Sequence, residues 1–136
     1  MPKTWLEKYN STKPPVVKVI DKRFADLEEG TKMFIATPKI IDNYVNEIPK
    51  GTSVDIKVMR KDMAIEHFAE NSCPVTTSIF LRIVAEVALE SLTKGKTTND
   101  ITPFWRVVHP KTPLAKKLSC GVAFIKEQRS KENING

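Results

Sequence analysis

A mainly α fold with short strands is what this 136-residue sequence predicts. Three observations lead there. Three stretches place apolar residues at helical spacing behind clear start signals. Proline stands at the first helical position of two of them, where its missing N–H costs nothing. Beyond Asn99 the helical period gives way to a short aromatic and β-branched run and a proline-rich turn. The length suits one domain, and with 40% hydrophobic residues the chain is not expected to be disordered.

Residues 1–32 read as an N-terminal arm that Trp5, Leu6 and Tyr9 are able to dock. Lys13-Pro14-Pro15 halts regular structure, Val16 to Ile20 offers a short strand, and the polar stretch to Lys32 reads as a loop. The domain proper spans 33–136 and opens with Met33-Phe34-Ile35-Ala36, an apolar lead into the first helix. Thr37 caps that helix with Pro38 behind it; Ile40, Ile41, Tyr44, Val45 and Ile48 recur at helical spacing until Pro49 and Gly51 stop it. A second helix starts near Asp55, with Ile56, Met59, Met63 and Phe68 on its apolar side. A third begins at Pro74 and ends before Gly95, and the turn from Glu70 to Cys73 makes the two a helix-turn-helix pair. Trp105-Arg106-Val107-Val108 reads as a strand, 109–113 as a rigid turn, and Gly121 to Lys131 as a final helix. Three helices followed by a basic strand-and-turn segment form the pattern of a winged helix-turn-helix.

Charge is distributed unevenly. The net charge is +6, made of +4 over residues 1–23, −4 over 24–93 and +6 over 94–136. A basic block behind an acidic middle points to a polyanion, although a lysine-rich surface also serves solubility alone. No run is long and apolar enough to span a bilayer, no secretory signal is visible, and Cys73 and Cys120 fit a reducing cytoplasmic setting rather than a disulfide framework. No cluster has metal-ligand spacing and no glycine-rich loop is present, so neither metal nor cofactor is expected.

Four segments, in order, carry a resemblance over Asn43 to Glu132. They are Ile48-Pro49-Lys50-Gly51, Cys73-Pro74-Val75-Thr76-Thr77, Thr102-Pro103-Phe104-Trp105-Arg106-Val107-Val108, and Gln128 with Glu132. Together they resemble the DNA-binding domain of methylated-DNA–protein-cysteine methyltransferases and the alkyltransferase-like proteins. The resemblance implies a protein that binds duplex DNA and turns an alkylated base out of the stack. Phe104 falls where the family's acceptor cysteine stands, and Trp105 on its histidine. Phenylalanine has no nucleophilic atom, so alkyl transfer at that position is excluded, and a non-catalytic member is implied. Ser78 falls on the family's helix-borne arginine, with Arg82 one turn later, and Ile56 or Asp55 on its tyrosine; Arg106 matches.

The expected DNA contacts are therefore Thr76, Thr77, Ser78 and Arg82 on the third helix, Arg106, and Lys111, Lys116 and Lys117 beyond it. Pro103, Phe104 and Trp105 are expected to line a nucleotide pocket, where an aromatic ring can stack on a base. Each has a plainer alternative: first-turn capping for the threonines, a buried ion pair for Arg106, core packing for the aromatics. Lys94, Lys96, Lys126, Arg129 and Lys131 complete a candidate electrostatic rim. Two other functions stand beside this one. The first is a protein-interaction module working through the arm at Trp5 and Tyr9. The second is an alkyl acceptor using Cys73, whose place at a helix N-terminus is one that lowers a thiol's pKa.

Overall fold

The computed structural model describes residues 3–134, a mixed helical fold around a small three-stranded sheet. Helix α1 (Trp5–Tyr9) is short, and a capping box holds it: Thr4 accepts from the Glu7 amide while the Glu7 carboxylate accepts from the Thr4 amide. It packs on the long helix α4 (Pro74–Thr93), and the Tyr9 hydroxyl donates to Asp42. Among the described residues of the arm, α1 is thus docked on α4 and Tyr9 is tied to Asp42.

Strand β1 (Val16–Val19) pairs antiparallel with β2 (Lys32–Ile35), and β2 pairs in parallel with the two-residue β3 (Asn71–Ser72). Sequence alone left β2 as an apolar lead, because a four-residue apolar run carries no readable period. The 21–30 loop between β1 and β2 is pinned from outside. Arg60 makes a fork-to-fork pair with Asp26 (2.8 Å twice), its Nε donates to the Ser72 carbonyl (3.1 Å), and it is almost wholly buried.

Helix α2 (Pro38–Asn46) starts as its signals predict, with Thr37 accepting from the Ile40 amide. Helix α3 (Ile56–Glu66) is capped by Asp55 and ends earlier than its apolar spacing suggests. Phe68 lies past the cap at positive φ with 89% of its surface exposed, so it is not on the helix's apolar face. Helix α4 begins at Pro74 and ends at Thr93 with Lys94 as its cap, and Gly95 just beyond, at φ 102°, reverses the chain. It is the spine of the core: Leu81, Val84, Ala85 and Ala88 meet Ile41 and Val45 of α2, Met59 and Met63 of α3, and Ile125 of α6.

The predicted strand at 105–108 is absent. Phe104–Arg106 forms a 3-10 turn behind Pro103, and among the described residues no strand follows α4. β-branched residues favoured the strand by propensity, but side-chain anchoring at both faces of this segment wins. Thr112 then caps α5 (Pro113–Lys117), and α6 (Gly121–Lys131) closes the chain with the bounds its sequence predicts. No helix of the described residues is long and apolar enough to cross a membrane.

Candidate nucleic-acid interface

The residues expected to form a nucleotide pocket are core. Phe104 has no exposed surface and Trp105 2%; their rings meet edge to face at 5.4 Å, and Phe104 stacks on Phe124 at 6.1 Å. Trp105 Nε1 donates to Glu132 (2.8 Å), and the same carboxylate pairs with Arg106 through Nε (2.9 Å) and Nη2 (3.0 Å). Arg106 also donates to the Ile48 carbonyl (2.7 Å), and the Gly51 amide to Glu132 (3.1 Å). Arg106 is therefore a strut rather than a DNA contact: its fork is committed and its side chain is 13% exposed. Burial by itself would raise the Glu132 carboxyl. The hydrogen bonds from Arg106, Gly51 and Trp105 outweigh it and hold the group at about 2. Pro103 is buried too, and with Trp105 and Arg106 it borders a polar cavity of about 410 Å3.

Thr77 is wholly buried on α4, so it cannot reach a phosphate; Thr76 is partly buried with its hydroxyl enclosed. Cys73 is buried among Ile20, Leu27 and Met33, which leaves an alkyl donor no approach to its sulfur. The arm's aromatics are engaged within the chain: Tyr9 is bonded to Asp42, and Lys8 and Arg82 lie over the Trp5 ring at 4.6 and 5.2 Å.

Ser78, Arg82 and Lys117 share one cavity beside the segment 107–117, and Lys111 and Lys116 border another. The segment's buried Val107 and Val108 root it in the core, and local bonds stiffen it. Thr112 Oγ1 donates to the His109 carbonyl (2.7 Å), and the Lys111 amide to His109 Nδ1 (3.1 Å). A cavity lies on each side of this ridge.

On one side, about 470 Å3 opens between the ridge, α1 and the N-terminal half of α4. Leu81, Val107, Val108 and Leu114 make an apolar floor, Ser78 and Trp5 stand in the wall, and Lys8, Arg82 and Lys117 carry the charge. Arg82 is fixed there by Trp5, by the Lys117 carbonyl (3.3 Å) and by Glu86 (3.9 Å). The volume lies within the range of about 300–1,000 Å3 usual for small-ligand pockets.

On the other side, about 870 Å3 is bordered by Lys111, Lys116, Lys126 and Arg129, and among the described residues no carboxylate lines it. Arg129 is the residue whose part the sequence understates. Only 4% exposed, it donates to the Trp105 carbonyl (2.8 Å) and the Ser53 hydroxyl (3.2 Å). Among the described residues no carboxylate pairs with it, and burial pulls its pKa below the usual value. A guanidinium remains charged under such a shift, so it presents a positive charge to the cavity. No protein family, curated protein or solved structure matches the chain.

Proposed function

We propose that the protein binds double-stranded DNA without modifying it, gripping the backbone at the basic cavity and receiving an unstacked, alkylated base in the apolar one. The observation that carries this reading is the pair of cavities beside one ridge, one basic and lined by no acid among the described residues, one apolar and base-sized. Phosphates suit the first because Arg129 and three lysines border it and, among the described residues, no carboxylate does. A base suits the second because an apolar floor rewards burial of a flat ring, while Arg82 and Lys117 meet its polar edge or its phosphate. In this reading α3 and α4, with β3 in their turn, are the helix pair of a winged-helix-like domain, and the 107–117 ridge stands where a wing would. The protein is a binder rather than an enzyme because Phe104 holds the position at which the resembling family carries its acceptor thiol.

Fluorescence anisotropy on duplexes with and without one alkylated guanine, across a salt series, tests it. Each lysine on a phosphate contributes about one unit of log–log salt slope. The triple variant Lys111→Ala, Lys116→Ala, Lys126→Ala is therefore expected to flatten the slope by about three units. Ser78→Phe, which fills the apolar cavity, is expected to abolish preference for the alkylated duplex and leave backbone binding in place. Salt-independent binding, or equal affinity for both duplexes, overturns the damage-recognition reading.

A further inference from the structure

Strand β1 forms one margin of the sheet, and the hydrogen bonds of β2 reveal which of its main-chain groups face out. The carbonyls of Lys32 and Phe34 accept from the amides of Glu70 and Cys73 (2.9 and 2.8 Å), so both residues face β3. Alternation then turns Met33 and Ile35 toward β1, opposite Lys18 and Val16. The Ile20 amide continues on that side by donating to the Thr31 carbonyl (3.1 Å). Val16, Lys18 and Ile20 thus direct their peptide groups inward. Val17 and Val19 direct theirs outward, and no described residue hydrogen-bonds to them. All four residues of the strand are exposed, as is Phe24 just beyond it.

Such a margin is a template for another strand, and two features say which kind. The first is charge: residues 1–23 hold six basic and two acidic residues, with Lys18 in the middle of the strand. The second is an apolar cavity of about 440 Å3 beside Val16, floored by Ile35, Pro38 and Phe80 and edged by Lys3, Lys8 and Lys13. A second copy of the chain fits poorly. The antiparallel register that engages every outward group sets Val17 against the other copy's Val19, which puts Lys18 directly opposite its own counterpart. That is a close, non-hydrogen-bonded position where like charges destabilise. A carboxylate at the same position is favoured.

We propose that β1 binds an extended acidic segment of a partner protein as a fourth strand, with an Asp or Glu opposite Lys18 between apolar residues. Main-chain bonds to Val17 and Val19 supply affinity, and Lys18 with the neighbouring cavity supplies selectivity. Strand β1 lies outside both ridge cavities, and its neighbouring cavity shares only Lys8 and Ile83 with the apolar one of the two, so the proposal does not depend on DNA binding.

Panning the full chain against a random dodecapeptide library, followed by anisotropy on a labelled peptide of the enriched consensus, tests it. The enriched peptides are expected to carry Asp or Glu flanked by apolar residues. Val17→Pro removes one outward amide at a site where an edge strand tolerates proline, and is expected to weaken the peptide about tenfold with circular dichroism unchanged. Lys18→Glu, which leaves the backbone untouched, is expected to weaken it at least as much. No enrichment, a consensus without acidic residues, or affinity unchanged in both variants overturns the proposal. Sedimentation showing a wild-type dimer that Val17→Pro dissolves overturns it in favour of a second copy.

Discussion

Replacing Glu132 by glutamine changes one oxygen and disturbs four hydrogen bonds. The carboxylate accepts from Arg106 twice, from Trp105 Nε1 and from the Gly51 amide, and its side chain is 7% exposed. Glutamine keeps one acceptor and turns an NH2 group toward donors, leaving the Arg106 guanidinium without its counter-charge. Two independent estimates of the loss agree. The carboxyl is held at about 2 against the usual 4.5, and at ~1.4 kcal/mol per pH unit this is about 3 kcal/mol. Breaking a buried pair by removing one partner costs ~3–5 kcal/mol.

The pH dependence has a defined sign. Because the folded-state value is depressed, the contribution is complete above the unfolded value of 4.5 and is lost as the pH falls toward 2. Urea unfolding of wild type and Glu132→Gln at several pH values between 7 and 2 reads this directly. The stability gap is expected to be about 3 kcal/mol at pH 7 and to close over most of its size between pH 4.5 and pH 2. A gap below about 1 kcal/mol at pH 7, the level of an ordinary hydrogen bond, refutes the reasoning. So does a gap that stays constant down to pH 2.

Two further substitutions separate core from interface. Phe104→Ala is expected to destabilise by ~3–5 kcal/mol in urea, because the ring is wholly buried between Trp105 and Phe124; a near-neutral result would return it to a pocket. Thr77→Val exchanges a buried hydroxyl without a described partner for a methyl of the same size, and is expected to raise stability by ~1 kcal/mol with DNA affinity unchanged. Loss of DNA affinity in Thr77→Val at intact stability would place the hydroxyl at the interface after all.

Local chemistry was legible, and long-range chemistry was not. Thr37-Pro38, Asp55 and Pro74 start helices because capping and proline geometry act within four residues, and these signals survive any tertiary context. Of the basic residues of the last third, Lys111, Lys116, Lys117, Lys126 and Arg129 line the two cavities beside the ridge, while Lys94, Lys96, Arg106 and Lys131 do not. The burial of Thr77 was hidden because α4 is apolar almost all round, so no periodicity marks which side faces α2. Phe68 continued a spacing that the chain had already left at the His67 cap. The 3-10 turn at Phe104–Arg106 depends on Glu132, 26 residues on from Arg106, a partner no window of sequence contains. In sequence Arg129 is one cation among many, since its distinction is spatial: it is buried and no described carboxylate pairs with it.

The Glu132 junction also joins parts of the chain that are far apart in sequence. It ties the turn at Gly51 to a carboxylate 81 residues later, and closes the 104–106 segment on the way. Contacts of such separation form late, after the entropy of closing the intervening loop has been met. Until residue 132 is in place, Arg106 lacks the carboxylate that pairs with it. A chain cut short of that residue keeps its helices but carries an unpaired guanidinium beside the core.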